Sequence, residues 1–310
     1  SNIVVLTRSL YSGSMDTREI EISVVIPTIG RAVQLRRSLE GFGVLVPETP
    51  AFEVIVVLDG GDEKPMELSE NEWPFALHVL SHERAGPGPS RNLGARHANG
   101  GLVVFFNDDT RPDPKCLVAH AGAQDKLGPC VAIGRVEWDS ERPPSPYMEW
   151  LAPEGHQFNY ARLDPERPVP WNACWATNLA IPRQWVFDEP FDPLYPRPAV
   201  EDGEWGYRLT RSGRPLRYVP AAVCHHDHRY EGPADYRQRA RAAGAASRYI
   251  VRRHPRLAWA LIGRPKAAAA ARLLSLLWPG SWRRELVWDL DFRANYVFGI
   301  LQPRRKERLR

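Results

Sequence analysis

The stretch Phe105-Phe106-Asn107-Asp108-Asp109-Thr110-Arg111-Pro112 closes an apolar run, residues 102–106, with two adjacent carboxylates. Acid clustered where a strand ends is a natural seat for a cation. Just upstream, Gly86-Pro87-Gly88-Pro89-Ser90-Arg91-Asn92-Leu93-Gly94-Ala95-Arg96 reads as a turn-rich entry into a helix around residues 91–98 that carries cationic and amide donors toward the same end. A divalent metal acting with an anionic ligand is the chemistry these two pieces suggest. Mg²⁺ and Mn²⁺ commonly divide their coordination between one or two carboxylates and substrate phosphates. The competing reading of Asp108 and Asp109 is a solvated acidic turn.

Working outward, residues 22–26 (ISVVI) form a β-branched run closed by Pro27, and a helical pattern follows over 31–42. Residues 52–58 (FEVIVVL) give a second strand ending at Asp59, and 76–80 a third. Strands alternating with helices predict a mostly parallel sheet with crossovers on its faces. Ligands of such sheets sit beyond the carboxyl ends of the strands. There the polar residues Thr28, Arg31, Asp59 and 107–109 converge. Further on, strands are expected at 131–138 and 219–223, separated by Pro- and Trp-rich loops. Helices are expected at 233–253 and 264–278. The expected division is an N-terminal extension (1–20), an α/β domain (21–230, with halves 21–115 and 116–230) and a helical C-terminal region (231–310).

The 310 residues, 43% hydrophobic and 25% charged, suffice for a sizeable core. A net charge of +4 is too weak to call for a nucleic-acid partner. The four cysteines are widely spaced, without metal-binding pairs, which suits reduced thiols in the cytoplasm. No secretion signal and no run of some 18 apolar residues is apparent. The closing segment mixes Trp282, Trp288 and Phe292 with a basic tail, Arg304-Arg305-Lys306-Glu307-Arg308-Leu309-Arg310. It is either a solvated terminus or a peripheral contact with the inner face of a membrane.

Two further clusters carry chemistry. Glu201-Asp202-Gly203-Glu204 follows a Pro-rich loop and opens a helix, where acids serve as caps or as a base toward a hydroxyl. His226-Asp227-His228 puts two imidazoles on one face of an extended segment, a ligand pair or surface histidines packed on aromatics. Trp150, Trp171 and Trp175 belong to a set of 11 tryptophans whose faces would suit sugar rings or simply fill core.

Five ordered blocks, ISVVIPTIGR, VIVVLDGGDE, GPSRNLGARHANGGLVVFFNDDTRP, WATNLAIPRQWV and EDGEWGYRLTRSG, together resemble the inverting family 2 glycosyltransferases of GT-A fold. The likeness covers roughly residues 22–228. It implies a metal-dependent transfer of sugar from a nucleoside-diphosphate sugar, most simply a UDP-sugar, to an acceptor hydroxyl. It further implies that Pro27, Thr28, Arg31 and Asp59 line the nucleoside pocket and that Arg91 contacts the base or diphosphate. Asp108 would lie near the ribose or donor sugar. Asp109 would be the direct ligand of Mn²⁺ or Mg²⁺, helped by Asn107 and by His226 or His228. Asp202 would be the catalytic base with Glu201 as its neighbour, and Trp175 and Asn178 would touch the acceptor. Asn107 departs from the family, where Asp is common, as does Leu58 before Asp59. A nucleotidyltransferase is the nearest rival, but IPTIGRAVQL lacks the expected Gly-rich basic loop. A catalytically silent sugar- or lipid-binding module is the other. Acceptor, donor sugar and oligomeric state are not legible.

Overall fold

The computed structural model describes residues 19–60, 73–139, 141–195, 199–275 and 284–302. The chain divides into two compact units. The first holds the described residues up to Pro144 with Ala152–Pro193 and Asp202–His228; the second holds Ser145–Leu151, Leu194–Glu201 and the described chain from Arg229 onward. The extension 1–18, Trp278, Trp282 and the basic tail from Arg304 lie outside the described residues.

In the first half of the first unit, β1 (Ile22–Thr28), α1 (Ala32–Phe42), β2 (Phe52–Asp59), β3 (Ala76–His82), α2 (Pro87–His97) and β4 (Leu102–Phe106) alternate as the apolar runs predicted. β1, β2 and β4 are buried along nearly their whole length. That burial explains their unbroken Val, Ile and Phe runs, since a strand covered on both faces has no polar side to show. Helix α2 starts four residues earlier than expected, because Pro87 and Pro89 occupy its first turn, where a missing N–H costs nothing. It lies close on the sheet through Gly94, where a Cβ would come within 2.3 Å of Val25 Cγ1.

The chain continues through β5 (Thr110–Pro112), α3 (Cys116–Leu127) and β6 (Val131–Trp138). After α4 (Pro146–Leu151), which belongs to the second unit, come β7 (Asn178–Pro182), α5 (Arg183–Asp188), α6 (Glu201–Arg211) and β8 (Leu216–His226). One eight-stranded sheet results, in the order β3-β2-β1-β4-β7-β6-β8-β5. The pairs β3–β2, β2–β1, β1–β4 and β6–β8 are parallel. β7 runs antiparallel between β4 and β6, and β5 antiparallel on β8. This is the expected mostly parallel sheet flanked by helices, with two antiparallel insertions that the sequence pattern did not reveal.

The second unit is helical: α7 (Pro233–Arg253), α8 (Arg264–Ser275) and α9 (Arg284–Leu301) join α4. Gly244 and Gly299 let α7 and α9 approach backbone to backbone. A Cβ on Gly244 would meet Tyr296 O at 1.9 Å. Among the described residues, no helix is long and apolar enough to cross a membrane.

Candidate active site

Because β2, β1 and β4 are adjacent and parallel, their carboxyl ends open on one edge, and the expected polar residues meet there. Thr28 Oγ1 at the tip of β1 donates to Asp108 Oδ2 at 2.7 Å. Arg31, just before α1, forks across both acids, NH2 lying 2.7 Å from Asp108 Oδ1 and NH1 2.6 Å from Asp109 Oδ2. Two charge-assisted bonds fix the relative position of the carboxylates. The acids are nearly inaccessible, 1% and 6% exposed, and they separate in acidity. Burial pushes Asp108 up to about 6, with Arg31 opposing and the charge of Asp109 adding to the rise. Burial also acts on Asp109, but the His226 imidazole and the Arg31 guanidinium outweigh it and hold that carboxyl well below the usual range.

The imidazoles arrive through the short strand β5. Its pairing of Thr110 with His226 lays the end of β8 beside Asp109, and the Asp227 N–H donates to Asp109 O at 2.8 Å. His226 Nε2 then stands 3.5 Å from Asp109 Oδ1 and His228 Nδ1 3.9 Å from Oδ2. Asp227 points its carboxylate to Arg37 of α1 at 2.8 Å, which leaves the two histidines on the Asp109 side. Among the described residues, Asp109 Oδ1 and His226 Nδ1 are buried without a hydrogen-bond partner. The buried Asp109 Oδ1 faces His226 Nε2, the other ring nitrogen, and this O and N pair suits a divalent cation that accepts mixed donors. No group of three or more His, Cys, Asp or Glu among the described residues is spaced as a ready-made metal site. A cation here would draw its remaining ligands from a bound phosphate.

Asn107 stands apart from that set. Its Oδ1 accepts from Arg91 NH2 at 3.1 Å and its Nδ2 donates to Thr177 Oγ1 at 3.2 Å, so the amide bridges α2 to the start of β7. Arg91 is buried, its guanidinium over the Phe191 ring at 5.5 Å. Asp59, at the tip of β2, accepts the N–H groups of Ala85 and Gly86 at 2.7 and 3.0 Å and thereby holds the turn into α2. Gly86 has φ +99°, open to glycine at no steric cost. Pro27 is buried within β1.

On the other flank, Asp202 lies in the first turn of α6, half-buried, with Oδ2 accepting the Ala176 N–H at 3.2 Å and Oδ1 the Gly203 N–H at 2.8 Å. α6 is clamped by Trp205, fully buried and stacked on Phe191 at 4.1 Å, and by Gly206, where a Cβ would meet Cys174 Cβ at 2.3 Å. Two paths of contact run from Asp202 to the acidic edge. One passes through Ala176 and Thr177 to Asn107. The other leaves Ala176 along the chain to Trp175, whose ring meets Phe158 at 5.9 Å, and Phe158 in turn meets His226 at 5.8 Å. Thr177 and Phe158 were missed in the sequence reading, although Thr177 stands in the quoted WATNLAIP block. Glu201, the first residue of α6, belongs to the second unit. Asn178 faces the core instead of an acceptor. It is 1% exposed, donating to Ala222 O at 2.9 Å and Arg135 O at 3.2 Å and contacting His120 Nε2 at 2.8 Å. A central antiparallel strand leaves that side chain no route to solvent.

Residues 23–184 match the family model described as Glycosyl transferase family 2. The chain belongs to this family. This family 2 chain is 28% identical over 291 residues to validoxylamine A glucosyltransferase of Streptomyces hygroscopicus subsp. jinggangensis, covering 78% of the chain and 64% of the relative. It is 28% identical over 249 residues to the pre-mycofactocin glycosyltransferase of Mycobacterium tuberculosis, covering 76% and 48%. The chain therefore spans between about half and two-thirds of the length of these relatives. Its fold is similar to that of a mannosyltransferase from Pyrobaculum calidifontis in complex with GDP-Man and Mn²⁺, at TM-score 0.60 and 18% identity, covering 91% of this chain and 86% of that one. A TarS fragment of S. aureus in complex with UDP-GlcNAc follows at TM-score 0.50 and 16% identity, covering 91% and 90%. The fold is GT-A. Asp202, His226 and His228 lie beyond the matched residues.

Proposed function

We propose that this family 2 chain transfers a sugar from a nucleoside-diphosphate sugar, a UDP-sugar, to an acceptor hydroxyl in one displacement that inverts the anomeric centre. The observation that carries the reading is the edge itself: a buried acid pair held by Arg31, faced by two imidazoles, and joined by contacts through residues 175–177 to Asp202. The donor class is supported by the structural neighbours, which are complexes with GDP-Man and with UDP-GlcNAc. Asp109, His226 and His228 would hold Mn²⁺ or Mg²⁺. When bound, the cation supplies Lewis-acid stabilisation of the charge that grows on a departing diphosphate.

The remaining roles belong to the chain. Arg31, 41% exposed at its side chain, reaches from the carboxylates toward solvent and is placed to meet a diphosphate. Thr28 keeps Asp108 oriented, and the Arg91–Asn107–Thr177 bridge keeps the donor edge and the acceptor side in register. Asp202 accepts the proton of the attacking hydroxyl, its carboxylate aimed by the Ala176 and Gly203 amides. Trp175, next to Ala176 in the chain, offers a ring for the acceptor. Four buried free thiols suit a reducing compartment, the cytoplasm.

The test is Asp202→Asn. Loss of a positioned base lowers kcat by about 10²–10⁴-fold, while UDP affinity, measured by calorimetry, stays at the wild-type value. Equal loss of both would remove Asp202 from the catalytic role. Absence of metal-dependent release of nucleoside diphosphate from wild type would leave only a silent binding module.

A further inference from the structure

The second unit shows water an unusual face. Six of the eleven large apolar side chains exposed among the described residues lie between Trp259 and Leu301. Three of them sit on one continuous helical stretch, where a π-turn (Trp259–Gly263) runs directly into α8: Trp259 is 67% exposed, Leu273 60% and Leu274 67%. On α8, Lys266, Ala270, Leu273 and Leu274 recur at i, i+4, i+7 and i+8, so they share one face, and all four are exposed. Arg272 projects from another side and pairs with Asp289 of α9, Nε to Oδ2 at 2.9 Å. The side of α8 turned away from α9 is thus the apolar one, the reverse of a surface helix that buries its apolar stripe against its own fold.

Charge on the same stretch is of one sign. Between Trp259 and Leu274 the sequence carries Arg264, Lys266 and Arg272 and no acid, Arg272 being taken up by Asp289 of α9. A protein partner matched to exposed Leu and Trp would not need cations unrelieved by acid, and a nucleic acid would not need the leucines. The two features together match one surface, an anionic bilayer, in which apolar side chains enter the acyl boundary while Lys and Arg stay among the headgroups. The run of five alanines, residues 267–271, keeps the helix formed without bulk that would hold it off the surface.

We propose that the face of residues 259–274 bearing Trp259, Lys266, Leu273 and Leu274 is a peripheral docking surface for an anionic lipid bilayer. It is independent of the donor chemistry. It lies within the C-terminal region where the sequence suggested a peripheral contact, on α8 and the turn before it.

Flotation of the full chain with vesicles of phosphatidylcholine alone, or of phosphatidylcholine mixed with anionic phosphatidylglycerol, tests the proposal without donor or metal. Binding is expected only to the anionic vesicles, and it falls as salt is raised. The double variant Arg264→Glu with Lys266→Glu should weaken it by at least roughly fivefold for each cation removed. Leu273→Ser with Leu274→Ser should weaken binding comparably at fixed charge. All four positions are exposed, so both variants should fold, as circular dichroism and unchanged UDP binding would verify. Equal binding to both vesicle types, no binding to either, or wild-type binding by both variants would overturn the proposal. So would a dimer in light scattering that Leu273→Ser with Leu274→Ser dissolves, because a second copy would then cover the face.

Discussion

Asn178→Ala separates a core tie from an acceptor contact. Asn178 begins β7, and its amide joins β6 through Arg135 O, β8 through Ala222 O and α3 through His120 Nε2. Alanine removes one acceptor and two donors from a site 1% exposed, and it takes that partner from the His120 ring, the Cys116 thiol and two carbonyls. Each buried group so orphaned costs about 1–3 kcal/mol. Arg135 O is only partly buried and regains water, so the expected loss is about 3–5 kcal/mol, a large share of the roughly 5–15 kcal/mol that holds a domain together. Urea unfolding followed by tryptophan fluorescence reads this directly. With a slope of about 2–3 kcal/mol per molar, the midpoint should drop by roughly 1–2 M. The fraction that remains folded should bind UDP as wild type does. A loss below about 1 kcal/mol together with a raised KM for acceptor would refute the core assignment and return Asn178 to the acceptor site.

Acid should lower the stability of the fold in two successive pH windows. Burial lowers His120 from its ordinary 6.5 to about 4, so a ring that is neutral when folded must be charged, and stability falls as pH drops from 6.5 toward 4. Glu53 comes next. Burial would raise it, but hydrogen bonds from His78, Ser23 and Asn99 hold it at about 2, so its contribution of about 3 kcal/mol is present above its ordinary 4.5 and is lost as pH falls toward 2. Urea midpoints measured from pH 7 to pH 2 check both, and a flat profile between 6.5 and 4 would contradict a buried neutral His120. Gly206→Ala forces a Cβ to within 2.3 Å of Cys174 Cβ and 2.6 Å of Trp171 O. It should shift α6 at a cost of about 1–3 kcal/mol and lower kcat through Asp202, with UDP affinity retained in calorimetry.

Much of the donor half was legible because its strands are buried on both faces. Residues 102–106 and 131–138 mark β4 and β6, and 233–253 marks α7, where apolar runs or helical periodicity end at Gly, Pro or charge. β7 escaped notice, since Asn178–Pro182 is five residues without alternation, and its place between β4 and β6 is set by partners some 50 to 80 residues away. β5 is three residues long, too short for any period, yet it is the element that brings His226 to Asp109. The acids themselves could be read from sequence because charge at a strand tip stands out. The fork of Arg31 across both of them could not, because a long side chain from the next helix chooses its partner only in three dimensions. Asn178 misled for a related reason: an amide beside Trp175 and Thr177 looks like ligand chemistry until the strand's central position turns it inward.

The central claim is that Asp109 and its imidazoles form the cation end of a site whose other end is Asp202. It is tested most directly by titrating UDP into wild type, Asp109→Asn and Asp202→Asn, with Mn²⁺ and with EDTA. Wild type and Asp202→Asn should bind UDP in a Mn²⁺-dependent manner, and Asp109→Asn should lose that dependence by at least about tenfold, the low end of what removing a group that supports a metal costs. Mn²⁺-dependent binding by Asp109→Asn at wild-type strength would contradict the account.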